Sequence, residues 1–236
     1  MQASERAERA PLLNVPPIVA FLIAAVIASH IAIEFLPRSW QFWVGHFGSV
    51  SPKALFNGSE EGGVLLIVLP LITHIFLHAN LSHLLLNCVW LLAFGAPVAF
   101  RLGAQRDLFD APSFVFLVFF ILSGVAGALT FAIMNASLDT QLIGASGSIS
   151  GLLGAMIRTI FVRQSDLANV RQAFARLFDG RVITASIVIL VTNLLVGAFG
   201  AALTSSENDI AWEAHMGGYI FGLLAFPAFA RLTRWR

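Results

Sequence analysis

Six stretches of this sequence are apolar for long enough to cross a lipid bilayer, and nothing else in it constrains the fold so strongly. They run over residues 17–35, 81–100, 113–134, 144–162, 182–203 and 211–230. A hydrocarbon core about 30 Å thick needs about 20 residues of helix, and a helix satisfies its own backbone hydrogen bonds where no water can. Composition agrees, with 58% hydrophobic and 11% charged residues; a soluble domain carries roughly 25% charged. The expected fold is all-α: a polytopic membrane protein built as a six-transmembrane-helix bundle. The six runs use most of the 236 residues and leave no room for a separate soluble domain.

The first run is too long for a signal-peptide core and follows charges of both signs, so it is expected to stay in the mature protein. With six spans, both termini and the connections near 101–110 and 163–181 share one side. That side holds Arg6, Arg9, Arg101, Arg106, Arg158, Arg163, Arg171, Arg176, Arg181, Arg231, Arg234 and Arg236, whereas the other holds Arg38 and Lys53. Twelve of fourteen basic residues on one side make that side cytoplasmic. Residues 1–16, polar and proline-containing, read as a disordered cytoplasmic N-terminus. Residues 17–230 read as the single membrane domain and 231–236 as a cytoplasmic tail. A bacterial inner membrane is the expected location.

Residues 36–72 form the longest connection, on the outer side. It opens with Trp40, Phe42 and Trp43, aromatic groups suited to the headgroup region. The apolar stretch 64–72 has nine residues, too few to span, and is expected to dip into the interface; a seventh span there would spoil the charge bias. On the inner side, Leu167, Val170, Phe174, Leu177 and Phe178 recur at helical spacing and predict a short surface helix over 167–178, an anchor to membrane lipid.

Several function classes find no support. There are no repeated halves with broken helices, no dinucleotide fingerprint, no P-loop, no HExxH and no basic tract for nucleic acid. Cys88 is the single cysteine, so no internal disulfide can form. His74 and His78 are four apart, but no acid lies between Glu61 and Asp107, and no metal site is expected.

Polar residues inside apolar runs are costly and usually functional. Ser146 sits in Gly144-Ala145-Ser146-Gly147 at the start of the fourth run, His215 near the start of the sixth, and His83 with Asn87 near the start of the second. These runs cross in the same direction, so all four residues fall at a similar outer depth. The 14 residues from Gly144 to Ile157 precede the first charge, Arg158; at 1.5 Å each they reach about 21 Å, short of the bilayer core. The start of that helix therefore lies below the outer surface, where its unpaired N–H groups need a wet pocket.

A serine hydroxyl becomes a nucleophile when a base within hydrogen-bond reach takes its proton, and histidine titrates in the right range. The anion formed on attack then needs donors, which the Ser146 N–H, the Asn87 amide and the His83 ring could supply. His83 and Asn87, four apart, share a helix face. Gly144, Gly147, Gly151 and Gly154 in the fourth run, and Gly218 and Gly222 in the sixth, are small enough to let two backbones approach closely. Glu213, two residues before His215, points to another side of its helix and is not assigned as a third member; the arrangement reads as a dyad.

His83-x-x-x-Asn87, Gly144-x-Ser146-Gly147 and Ala214-His215-x-x-Gly218-x-x-x-Gly222, in this order on the second, fourth and sixth runs, resemble the rhomboid family of intramembrane serine proteases. The resemblance covers residues 17–230. It implies a six-span rhomboid-type bundle, with Ser146 as nucleophile, His215 as general base, and His83, Asn87 and Gly144 on the oxyanion and substrate side. It further implies endoproteolysis of transmembrane-helix substrates near their outer end, with no cofactor. Many bacterial relatives carry an aromatic residue four after the serine, stacked on the histidine; here Ser150 stands there, which leaves open what holds His215. The competing readings are a catalytically silent relative that binds transmembrane helices, and a channel or transporter. The inner halves of the second, fourth and sixth runs are almost wholly apolar, which leaves the latter no path.

Overall fold

The computed structural model describes residues 15–58, 63–162, 174–204 and 211–233. Among these the chain is helical, with a single antiparallel bridge between Val50 and Leu142 and no β-strand. Helix α1 (Pro17–Glu34) begins at Pro16-Pro17, where the missing proline N–H costs nothing because a first-turn N–H has no intrahelical partner. The connection over 36–72 holds short helices: α2 (Arg38–Gly48), α3 (Pro52–Asn57), α4 (Gly63–Val68) and α5 (Pro70–Thr73), then a 3₁₀ turn at His74–Phe76. The apolar stretch expected to dip into the interface is thus broken where Pro70 opens α5. Its two pieces of six and four residues are each too short to span.

The long helices follow: α6 (Leu81–Leu102), α7 (Ala111–Met134), α8 (Ser146–Ile160), α9 (Gly180–Thr204) and α10 (Trp212–Leu232). By length and composition α1, α6, α7 and residues 180–198 of α9 can cross a membrane. Helix α8 has only 15 residues, and α10 carries Glu213 and His215 in its first turn. Among the described residues, length and apolarity thus mark four candidate spans, and they leave the count of six expected from the sequence unconfirmed.

Helix α8 packs against α6, α7 and α10, while α1 leans on α6 and α9 on α10. Phe116, Phe119 and Phe120 of α7 meet Leu91 of α6, Leu152 of α8, Phe226 of α10 and Leu22 of α1 in one fully buried cluster. Facing outward are Leu85, Leu86, Val89 and Trp90 of α6, Ile187, Val188, Val191, Leu194 and Leu195 of α9, and Ile220 and Leu224 of α10. An apolar belt of this extent suits lipid, not water. Between helices in lipid the gain is close van der Waals packing, since leaving the tails offers no hydrophobic benefit.

Of the surface helix predicted over 167–178, residues 167–173 lie outside the described residues. The remaining stretch, 174–178, is not helical. Phe174 turns into the bundle instead, its ring 5.9 Å from that of Phe226 and under the Arg101 guanidinium. The Ala175 N–H donates to the Arg158 carbonyl at 2.8 Å. Aromatic packing and a backbone bond outweigh the amphipathic periodicity here. The expected tail beyond residue 233 and the N-terminal segment through residue 14 also fall outside the described residues.

Candidate active site

Three local devices bring the polar residues together. The first is the turn into α8. Gly144 has φ +113°, a region that disfavours side chains, and a Cβ there would come within 2.9 Å of the His83 ring. Its N–H donates to the His74 carbonyl at 2.8 Å, and the bridge between Val50 and Leu142 ties the same segment to the connection over 36–72. Ser146 is the first residue of α8, and Ala145 before it gives no side-chain cap. Helices α6 and α7, by contrast, are capped by Asn80 and Asp110. The first-turn N–H groups of α8 thus keep their positive end for an incoming anion.

The second device is a glycine seam. A Cβ on Gly218 would run into the Gly147 carbonyl, one on Gly222 into the Gly151 carbonyl, and one on Gly154 into the Tyr219 carbonyl. Helix α7 joins the seam at Gly127, where a Cβ would meet the Ala214 carbonyl. The α7 small residues Ser123, Gly124 and Gly127 passed unremarked in the sequence, although their spacing carries the same small-residue signal as Gly218 and Gly222. Backbones this close hold the start of α10 against the start of α8.

The third device is hydrogen bonding. The Ser146 Oγ and His215 Nε2 lie 2.8 Å apart. On its other side, His215 Nδ1 is 2.9 Å from Asn193 Oδ1 of α9, a residue the sequence reading did not single out. An intramembrane amide in the middle of run 182–203 was the signal that could have found it. Glu213 turns away and accepts from the Asn135 amide at 3.3 Å.

His83 stands at the start of α6, where the Asn80 side chain accepts from its N–H at 2.9 Å. The Ala79 N–H reaches its Nδ1 at 3.5 Å, which leaves the ring proton on Nε2, the nitrogen turned toward Gly144. Asn87 is buried one turn on, and its amide donates to the His83 carbonyl at 2.9 Å. A primary amide has a second N–H to give. Behind these lie two more histidines. The His74 ring is buried and donates from Nδ1 to the Pro70 carbonyl at 2.9 Å; burial pushes its pKa down to about 4. His78 packs edge-on against His83 with centroids 5.1 Å apart. Burial, then the neighbouring His83 charge, pushes its pKa to about 4 as well. Both are neutral at pH 7 and shape the loop behind the site. Among the described residues no group of three or more His, Cys, Asp or Glu is arranged around a metal position.

The sequence profile of the Rhomboid domain family matches residues 67–231, which is most of the chain. The chain belongs to the rhomboid family. Together with its apolar helices, that makes it an integral membrane protein. The matched rhomboid segment takes in His83, Asn87, Gly144, Ser146, Asn193 and His215, and leaves α1 to α3 outside. Among curated rhomboid relatives, RHOMBOID-like protein 5 of Arabidopsis thaliana is 29% identical over 164 residues, 70% of this chain and 44% of that protein. RHOMBOID-like protein 1 of Arabidopsis thaliana is 30% identical over 154 residues, 65% of this chain and 32% of that protein. The aligned segment thus spans less than half the length of these rhomboid relatives.

Proposed function

We propose that this rhomboid is an intramembrane serine endopeptidase that cuts the transmembrane helices of single-pass membrane proteins near their outer end. The observation that carries it is the 2.8 Å hydrogen bond between Ser146 Oγ and His215 Nε2 at an uncapped helix start. Ser146 Oγ attacks the scissile carbonyl carbon while His215 Nε2 takes its proton. The carbonyl oxygen becomes an oxyanion, met by the Ser146 N–H, the His83 Nε2–H and the Asn87 amide. On collapse the C–N bond breaks, and His215 gives the proton to the departing amine. Water, deprotonated by His215 Nε2, then attacks the acyl carbon; the bond from that carbon to Ser146 Oγ breaks, His215 returns the proton to Oγ, and the new carboxyl end leaves.

Six spans are part of the proposal, with α8 and α10 completing the bundle. The arginine excess at the Arg101, Arg158, Arg181 and Arg231 end supports that side as cytoplasmic, with both termini on it and the Ser146 end outward. An attacked helix must unwind locally, so substrates with small or helix-weakening residues near the cut suit the site.

The test is cleavage of a membrane-spanning reporter in liposomes by purified protein. Wild type should cut, and Ser146→Ala should not, while keeping its melting temperature because one hydroxyl leaves a small-residue surface. Unchanged cleavage by Ser146→Ala removes Ser146 from the mechanism. A wild type that binds reporter helices without cutting them replaces the protease with a silent helix-binding rhomboid.

A further inference from the structure

The Asn193 side chain bonds the Ile189 carbonyl and His215 rather than Ser146, yet its position on α9 bears on the reaction. For His215 to take a proton from Ser146, its Nε2 must present a lone pair. In the neutral ring the single proton then has to sit on Nδ1. In this apolar setting that Nδ1–H needs an acceptor, or the other tautomer wins.

The hydrogen bonds fix every donor and acceptor from one end. The Ile189 carbonyl can only accept, and Asn193 Nδ2 donates to it at 2.9 Å. The amide is thereby oriented with Oδ1 toward His215 Nδ1, 2.9 Å away, and an amide oxygen can only accept. Nδ1 must therefore carry the proton, and Nε2 is free for the Ser146 hydroxyl at 2.8 Å. One backbone carbonyl on α9 thus sets the tautomer two side chains away. The residue four after Ser146 is Ser150, which has no ring to stack on His215.

We propose that Asn193 is a positioning residue for His215, holding its ring and fixing the tautomer with the proton on Nδ1, in a role that stacking against an aromatic at position 150 cannot fill here. The proposal rests on the protease reading above and deepens it. It also ties the base to a helix that is otherwise lightly held. Ser186 pairs with the Tyr219 hydroxyl at 2.7 Å, and Gly197 lies against the Trp212 ring. Ser186, Asn193 and Gly197, spaced by seven and four, share the face of α9 that meets α10.

The experiment uses full-length protein in detergent micelles, with a serine-reactive fluorophosphonate, the membrane-spanning reporter, and ¹⁵N-histidine NMR to read the His215 tautomer. Its titratable surroundings are His83 of α6 and, on its own helix, Glu213, which is bonded to Asn135; both stay unchanged throughout. Asn193→Leu should cut labelling rate and kcat by roughly 10- to 1,000-fold with KM within about twofold, and should move the His215 proton from Nδ1 to Nε2. Asn193→Asp keeps an oxygen at that place and should recover a large part of the rate. Ser186→Ala loosens α9 without touching His215, and should keep kcat within about twofold and the tautomer unchanged. Wild-type rates and tautomer in Asn193→Leu would overturn the proposal. So would an equal loss in Ser186→Ala, which would make Asn193 a docking contact alone. Failure of wild type itself to label sinks the protease reading, whereas a labelled wild type beside an equally labelled Asn193→Leu sinks this inference alone.

Discussion

Helix α10 meets its neighbours in two unlike ways. Against α8 it packs backbone to backbone, through Gly218 and Gly222 on Gly147 and Gly151, with no room for a Cβ. Against α9 it is held through side chains: Asn193 on His215, Tyr219 on Ser186, and Trp212 on Gly197. The first contact sets how far His215 stands from Ser146. The second sets which way its ring faces and which nitrogen carries the proton. Distance is fixed by a seam that can hardly give, and orientation by a helix whose outer face is almost wholly apolar and exposed.

The largest expected effect comes from breaking the seam. Gly222→Val puts branched carbons where the Gly151 carbonyl already lies. It should destabilise by about 1–3 kcal/mol or more and abolish cleavage, read as a lower melting temperature in detergent. A variant that melts and cuts like wild type would mean that α8 and α10 are not in backbone contact.

A second expected effect separates the seam, which is built on glycines, from the histidine-lined loop behind Gly144. His74 and His78 have pKa values near 4 in the folded chain, below their ordinary 6.5. Between those values the unfolded chain binds more protons, so stability is complete above about pH 6.5 and falls as pH drops toward 4, levelling below that. Melting temperature measured from pH 7 to pH 4 should follow this course. His74→Gln, which cannot charge, should show a shallower fall. An identical slope in that variant would exclude His74 as a source of acid sensitivity.

The smallest effect belongs to the α9 side. Tyr219→Phe removes the hydroxyl paired with Ser186 and should cost about 0.5–1.5 kcal/mol, less than the seam variant, with the Ser146–His215 pair undisturbed. A loss matching that of Gly222→Val would erase the distinction between the two contacts.

The long helices were legible in the sequence, and the candidate residues Ser146, His215, His83 and Asn87 could be picked out, because each leaves a local mark. An apolar run reports a membrane helix, and Ser146, His215, His83 and Asn87 are conspicuous where polar groups are costly. Asn193 leaves the same kind of mark, and seven residues from Ser186 and four from Gly197 it had a face to belong to. It was passed over because the run around it reads as one apolar block. The connection over 36–72 was harder for a different reason. Its short helices are held by distant bonds, Val50 with Leu142 and the Thr73 hydroxyl with the Gly48 carbonyl, which no local periodicity announces. Likewise Phe174 follows an amphipathic pattern yet packs inward, because tertiary partners outbid local preference.

The most direct test of Ser146 and His215 as nucleophile and base is to map the fluorophosphonate adduct by peptide mass spectrometry, in wild type and in His215→Ala. The adduct should sit on Ser146 in wild type and be lost, or slowed by orders of magnitude, when the base is removed. An adduct on a different serine, or undiminished modification of Ser146 in His215→Ala, would contradict the pairing on which the proposed chemistry depends.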